Sequence, residues 1–192
     1  MGRHILAIEK SKRILEVAEE VGALRYGDFT LSSGAKSNYY FDGRLISLNP
    51  EGAHLLGQAF LERLQGIDID YVGGPAMAAI PLVTAIALVS YLDGRNISAF
   101  FVRGETKGHG MQNQIEGNLP LGSKVAIIDD VCTSGGSIVG AIQAVESLRC
   151  KVAVILSVLD RKQGGSDKLI SEGYRFETLL TAGIDGKVVV ST

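Results

Sequence analysis

The chain has 192 residues, of which 46% are hydrophobic and 21% charged, the balance of an ordinary globular protein that can bury a full core. Its 19 basic and 21 acidic residues give a formal charge of -2, which argues against a broad nucleic-acid footprint and against a polybasic membrane patch. Two cysteines are too few for a disulfide framework, and the N-terminus carries no apolar stretch of signal-peptide length. These features predict a cytoplasmic protein with reduced thiols.

The first third of the chain predicts a small lobe. Apolar residues share one face of a helix over residues 9–21. Residues 28–46 are rich in β-formers and are split by a Ser-Gly turn, which predicts a hairpin-like segment. Asn49 and Pro50 are a good helix start, and that helix should run to about Leu64. We expect a single domain over 1–192, in which residues 1–48 form a small lobe that covers the substrate.

The remainder alternates between strands and helices. Mostly apolar strands are predicted at 69–72, 97–102, 124–128 and 151–159, with helices near 78–92 and from Gly135 to about Leu148. The apolar stretch from Ala76 to Leu92 is interrupted by Pro81 and two hydroxyl residues, so it indicates a buried helix and not a membrane span. This order predicts an α/β fold with a central, mainly parallel sheet and helices on both faces. Ligands of such sheets bind beyond the carboxyl ends of the strands.

The most informative segment, residues 124–137, lies at one of those strand ends. An apolar strand leads into Asp129 and Asp130, and a Thr-Ser-Gly-Gly-Ser turn then opens a helix. Free backbone N–H groups at a helix start attract a phosphate, and glycines let it approach closely. The two carboxylates suit the hydroxyls of a sugar. The alternative, acids that merely cap the next helix, leaves two adjacent carboxylates unexplained, and motifs for nucleoside triphosphates or dinucleotides are absent from the sequence.

This segment resembles the binding motif for phosphoribosyl pyrophosphate (PRPP) in type I phosphoribosyltransferases. Residues 103–117, which begin Arg-Gly-Glu-Thr-Lys-Gly-His-Gly, resemble the mobile catalytic loop of the orotate phosphoribosyltransferases. Residues 31–44 resemble the N-terminal substrate segment of that family, and Asp160-Arg161 its orotate-binding turn. The matching pieces occur in the right order over about residues 14–165.

The resemblance implies a reaction in which PRPP and orotate give orotidine 5'-phosphate and pyrophosphate. It also implies a homodimer in which loop 103–117 reaches the neighbouring subunit's site, and Mg²⁺ that is carried by PRPP without a direct protein ligand. The implied catalytic residues are Lys107, His109, Asp129 and Asp130. The implied PRPP-binding residues are Gly74, Arg103, Lys107, His109, Asp129, Asp130, Val131, Cys132, Thr133, Ser134, Gly135, Gly136 and Ser137.

Orotate recognition is expected from four residues. Arg161 is the candidate for the orotate carboxylate, because a guanidinium binds a carboxylate through two hydrogen bonds. Thr133, Tyr40 and Phe41 are the other candidates, the two aromatic residues as stacking partners for the pyrimidine, although at least one of the aromatics at 39–41 must pack inward because strand side chains alternate.

Three positions depart from the family pattern. Many members have lysine where this chain has Ser32, Ala78 and Gly104. Each missing lysine removes a charge that would face a phosphate or orotate, so a second hypothesis is a regulatory protein on the same fold that binds PRPP or a nucleotide with weak or no catalysis. A transferase for another base is a third possibility, but a purine would give Arg161 no carboxylate to bind.

Overall fold

The structure is a computed structural model that describes residues 2–30, 34–104 and 114–191, with side chains described from residue 8 onward. Helix α1 (Gly2–Glu20) precedes strands β1 (Leu24–Thr30) and β2 (Lys36–Phe41), which pair antiparallel as a separate two-stranded sheet. The predicted hairpin is therefore confirmed. Its predicted end at residue 46 was wrong, because β2 ends at Phe41 and a short helix α2 (Gly43–Ser47), capped by the side chain of Asp42, follows it.

A seven-stranded sheet forms the centre of the molecule, in the order β5-β4-β3-β6-β7-β8-β9. The five inner strands run parallel and the strands at both edges run antiparallel to their neighbours, which confirms the predicted mainly parallel sheet. The strands are β3 (Tyr71–Pro75), β4 (Ser98–Val102), β5 (Ile115–Glu116), β6 (Lys124–Cys132), β7 (Lys151–Asp160), β8 (Phe176–Ala182) and β9 (Val188–Val190).

Both faces of the sheet are covered by apolar packing. Along β6, Ala126 and Ile128 belong to one buried cluster, whereas Val125 and Ile127 belong to the other, as the alternation of strand side chains requires. The helices that follow α2 are α3 (Pro50–Arg63), α4 (Ala79–Leu92), α5 (Gly136–Ser147) and α6 (Gly165–Ser171). The start of α3 is as predicted, with the Asn49 side chain accepting a hydrogen bond from the Gly52 amide at 2.9 Å. No helix in the described ranges is both long enough and apolar enough to cross a membrane.

Two predicted strand ends were placed too early. Strand β3 continues through Gly73 and Gly74 to Pro75, and β6 continues past both acids to Cys132. Each extension is held by parallel partners, since Pro75 pairs with Val102 and Cys132 with Asp160. The predicted irregular loop 103–119 also contains β5, which pairs with β4, while residues 105–113 of that loop lie outside the described residues.

Candidate active site

Asp129 is the buried member of the acid pair, with 4% of its surface exposed. One of its carboxylate oxygens accepts a hydrogen bond from the Asp130 amide at 2.9 Å, and the other accepts one from the Ser137 hydroxyl at 2.8 Å. Burial raises the pKa of Asp129 to about 7, and the neighbouring charge of Asp130 adds to that effect. Carboxylate oxygens are hydrogen-bond acceptors, which suits them to the hydroxyl groups of a sugar.

Asp130 lies against the segment that joins the hairpin to α2. A Cβ atom added to Gly43 would come within 2.5 Å of the Asp130 Cβ atom, so this close approach requires glycine. Burial raises the pKa of Asp130, and the nearby charge of Asp42 works in the same direction, whereas Arg44 opposes it. The guanidinium of Arg44 donates to both carboxylate oxygens of Asp42 at 2.8 Å. The N-terminal segment thus packs directly on the acid pair.

The turn from Thr133 to Ser137 has the geometry of an anion site. Gly135 precedes α5 with a left-handed φ of 79°, and no side chain of the described residues caps that helix start. The first amides of a helix have no partner within the helix, so an uncapped start can receive a phosphate. Ser134 and Gly136 are exposed, while Thr133 is partly buried. These residues lie directly beyond the acid pair, as the sequence predicted.

The start of α6 supports this turn. The Gly165 amide donates to the Thr133 carbonyl at 3.0 Å, and a Cβ atom on Gly165 would come within 2.5 Å of that oxygen and 2.7 Å of the Gly135 nitrogen. Sequence reasoning did not identify this contact. The Gly164-Gly165 pair was a signal for close backbone approach, but its partner, the Thr133 carbonyl 32 residues earlier in the chain, is decided by the tertiary structure.

Val131 and Cys132 complete the strand beneath the turn. Val131 is partly buried, and Cys132 is fully buried, where loss of hydration raises the pKa of its thiol to about 12. The Cys132 carbonyl accepts a hydrogen bond from the Arg161 amide at 2.9 Å. Cys132 therefore contributes its backbone to the site and its side chain to the core.

Gly74 lies beside the acid-bearing strand. A Cβ atom at this position would come within 1.9 Å of the Ile128 carbonyl oxygen, so only glycine fits between β3 and β6. Gly74, expected from the family resemblance to bind PRPP, thus lies in the last part of β3, beside the strand that carries the acid pair. Ala78, one of the three departures from the family, precedes the first residue of α4.

Arg161 follows β7 at this same edge, and 9% of its surface is exposed. Its guanidinium carbon lies 4.8 Å from the centre of the Tyr39 ring, a cation–π contact with β2 of the hairpin. The neighbouring Asp160 is fully buried, and its carboxylate lies 3.1 Å from the ammonium of Lys162.

The aromatic residues of β2 face different surroundings. Tyr39 and Phe41 are both buried and both belong to the main core cluster. Tyr40 is partly buried and packs with Phe29, ring centres 5.7 Å apart, beneath the guanidinium of Arg25. The structure therefore places Tyr39 beside Arg161, a contact that the sequence did not single out. The orotate-binding roles of Tyr40 and Phe41 stay predictions.

The base of the predicted catalytic loop lies within the described residues. The Arg103 amide donates to the Gln114 carbonyl at 2.8 Å, and the Arg103 guanidinium lies 3.2 Å from the Glu116 carboxylate. The two ends of the loop therefore meet at the edge of the sheet. Lys107 and His109 lie outside the described residues, as does Ser32. No group of His, Cys, Asp and Glu in the described ranges could hold a metal ion.

The α/β sheet, the acid pair and the uncapped helix start together define a phosphoribosyl-binding domain, and comparison with known proteins agrees. Residues 47–175 match the family model for the phosphoribosyl transferase domain. An orotate phosphoribosyltransferase of Aquifex aeolicus is 41% identical over 177 residues, which cover 92% of this chain and 93% of that protein. The chain therefore belongs to the phosphoribosyltransferase family, and within it to the orotate phosphoribosyltransferases.

Solved structures show the same relationship. The orotate phosphoribosyltransferase of Mycobacterium tuberculosis, in complex with Fe(III) dicitrate, has a TM-score of 0.78 and 33% identity, covering 90% of this chain and 96% of that one. A second structure of an M. tuberculosis orotate phosphoribosyltransferase, in complex with PRPP, has a TM-score of 0.73 and 26% identity, covering 90% of this chain and 89% of that one.

Proposed function

We propose that this chain transfers the phosphoribosyl group of PRPP to orotate, giving orotidine 5'-phosphate and pyrophosphate, a step of pyrimidine nucleotide synthesis. The observation that carries the proposal is the acid pair Asp129–Asp130, with Asp129 buried and Asp130 partly buried, which precedes an uncapped helix start and is flanked by the buried Arg161. This set offers partners for a ribose, a phosphate and a carboxylate at one edge of the sheet. Relatives at about 40% identity that are named orotate phosphoribosyltransferases support the same substrates.

The reaction exchanges two bonds at the anomeric carbon of the ribose. The bond to pyrophosphate breaks with its electron pair leaving on oxygen, and a ring nitrogen of orotate bonds to the same carbon. Positive charge develops on the sugar as in glycoside chemistry, so no covalent enzyme nucleophile is needed. Asp129 and Asp130 would hold the ribose hydroxyls, and their negative charge would stabilise the cationic sugar. The amides of the Thr133–Ser137 turn would hold the 5'-phosphate.

The leaving pyrophosphate requires positive charge and donors. Arg103 lies at the base of the loop that would supply them, and Lys107 and His109 are the sequence-based candidates within it. We propose that Mg²⁺ enters with PRPP, because the acid pair supplies only two carboxylates and the pyrophosphate oxygens are themselves good ligands for this hard cation. When bound, the metal would neutralise part of the pyrophosphate charge.

A homodimer is part of the proposal, with loop 103–117 entering the partner's site. An apolar face of α3 and α4 supports it, because side chains of that size are seldom exposed together without a partner. The cavity along this face has a volume of about 670 Å³. Exposed apolar residues on or beside it are Leu48, Met77, Leu88, Tyr91 and Leu92. We further propose a cytoplasmic location, in keeping with the two buried cysteines, Cys132 and Cys150, which are both free.

The regulatory alternative keeps the same PRPP site without turnover. It rests only on the three positions where lysine is missing; at one of them, Gly104, no atom of the described residues lies within 4 Å of a Cβ position. The similarity to orotate phosphoribosyltransferases over most of the chain favours the enzyme.

The decisive assay follows the loss of orotate absorbance with PRPP and magnesium present. We expect turnover by the intact chain and a loss of about 100-fold or more in kcat for Lys107→Ala, the magnitude of removing one charged donor from a developing anion. Lys151→Ala is the matched control and should retain full activity, because Lys151 begins β7 and therefore lies at the amino ends of the parallel strands, away from the site at their carboxyl ends. An intact chain that binds PRPP in calorimetry without consuming orotate would instead establish the regulatory alternative.

A further inference from the structure

A cluster of buried polar groups lies where the hairpin covers the carboxyl ends of β7 and β8. Tyr39 and Arg161 contact each other, and Thr181 pairs in the sheet with Asp160, the residue before Arg161. The Tyr39 hydroxyl, one terminal nitrogen of Arg161 and the Thr181 hydroxyl are all buried, yet none has a hydrogen-bond partner among the described residues. All three side chains line one cavity of about 1080 Å³.

Groups of this kind rarely stay unpartnered in a folded protein. Removing a donor from water without replacing its hydrogen bond destabilises the native state, so three such groups together indicate a missing polar partner. The chain itself does not supply one. The guanidinium of Arg161 lies over the Tyr39 ring, 4.8 Å from its centre, and the Tyr39 hydroxyl has no partner within hydrogen-bond geometry among the described residues.

The charge of the cluster specifies the partner. The charge of the buried Asp160 is balanced by Lys162: one carboxylate oxygen accepts a hydrogen bond from the Lys162 amide at 2.9 Å, and the other lies 3.1 Å from the Lys162 ammonium as an ion pair without hydrogen-bond geometry. Arg161 therefore remains as a net positive charge with two hydroxyl donors nearby. A carboxylate is the complementary ligand, since it accepts several hydrogen bonds and carries one negative charge.

The position of the cluster links it to the reaction. The Arg161 amide donates to the carbonyl of Cys132, the residue before the phosphate turn. The roof of the cavity is fixed from the other side, because the Asn38 amide group donates to the Asp185 carbonyl at 2.6 Å in the turn between β8 and β9. Arg161 therefore lies beside the strand that carries the phosphate turn, at the carboxyl ends of the strands where the proposed substrates would bind.

We propose that Tyr39 and Thr181 act with Arg161 as the carboxylate-recognition residues of the active site, so that they determine the preference for a carboxylated pyrimidine. The inference rests on the proposed function and deepens it, because it assigns the specificity to two hydroxyls: that of Tyr39, within the N-terminal segment 31–44, and that of Thr181, which lies outside every sequence motif named above. A purely structural role is disfavoured by the absence of any hydrogen bond from either hydroxyl within the described chain.

The test compares the binding of orotidine 5'-phosphate and uridine 5'-phosphate by calorimetry, since these two ligands differ only by the carboxylate. In the intact chain, orotidine 5'-phosphate should bind more tightly. In Tyr39→Phe and in Thr181→Val, the ratio of the two dissociation constants should fall about 10-fold, while the affinity for uridine 5'-phosphate stays within about twofold. Tyr174→Phe is the matched control, because its hydroxyl bonds to Glu146 elsewhere in the fold, and it should leave the ratio unchanged.

Thermal unfolding distinguishes binding from folding. Both variants remove an unpartnered buried hydroxyl, so their Tm should equal or exceed that of the intact chain, whereas a structural role would lower it. An unchanged ratio in both variants, with the intact chain still preferring orotidine 5'-phosphate, would overturn this inference alone. No preference in the intact chain would refute the proposed orotate specificity itself and this inference with it.

Discussion

Replacing Asp129 by asparagine should make the protein more stable at neutral pH while abolishing its chemistry. The asparagine can keep both hydrogen bonds, because its oxygen accepts from the Asp130 amide and its amide group donates to the Ser137 hydroxyl. Only the charge is lost. Since burial raises the pKa of Asp129 to about 7, the ionised form is costly in the folded state.

The direction of the pH effect follows from proton binding. Below the ordinary carboxyl pKa, both the folded and the unfolded chain hold this proton and stability is unaffected. Between that value and the raised value the unfolded chain has released the proton while the folded chain retains it, so the free energy of unfolding falls as pH rises. A pKa raised from 3.8 to about 7 corresponds to about 4 kcal/mol at most. Because Asp130 shares part of this effect, we expect Asp129→Asn to gain about 2 kcal/mol at pH 8 and almost nothing at pH 4.

Urea unfolding between pH 4 and pH 8, at one fixed protein concentration, measures this gain. Asp93→Asn, at the exposed C-terminal end of α4, is the matched control and should show no pH-dependent gain. Turnover of orotate should fall by at least about 100-fold in Asp129→Asn, because the negative charge beside the developing sugar cation is gone. A difference from the intact chain that is the same at pH 4 and pH 8 would refute the assigned cost of the buried charge.

Two further predictions concern the phosphate turn and the apolar face. Gly165→Ala should weaken PRPP binding about 10-fold in calorimetry, because the added Cβ atom would lie 2.5 Å from the Thr133 carbonyl oxygen. The control is Gly140→Ala on α5, where no described atom lies near the added Cβ, and it should bind PRPP normally. Equal affinities of the two variants would show that α6 does not support the turn. Leu88→Arg should lower the sedimentation coefficient from the value of a dimer to that of a monomer, because a charge would be buried in the interface. The control is Ile170→Arg, at an exposed apolar position on α6, and it should leave the coefficient unchanged. A dimer that survives Leu88→Arg would place the interface elsewhere.

The sequence alone determined the class of fold and the contiguous site residues at 129–137. Apolar strands that alternate with helices bury both faces of a sheet only when that sheet is mostly parallel, so this pattern predicted the architecture. The acids and the Gly-rich turn are contiguous in the chain, at 129–137, so their proximity needed no tertiary information. The cap at Asn49 was equally local, since a cap and its amide lie within one helical turn.

The ends of strands β3 and β6 were harder to predict than the start of α3, because backbone pairing depends on neighbouring strands and not on local sequence alone. The sequence signal for a strand ends where apolar residues give way to Gly73 or Asp129, but backbone pairing continues as long as a neighbouring strand offers partners. Those partners come from residues far away in the chain.

What the tertiary structure decided is which distant residues meet at the site. Gly165 supports the phosphate turn, and Tyr39 rather than Tyr40 contacts Arg161. Each of these contacts joins segments that are about 30 or more than 100 residues apart, and each depends on the pairing register of a strand, which selects the face that every side chain occupies. A sequence pattern records which residues can perform the chemistry, but contacts between distant segments are set by how the sheet and the hairpin pack.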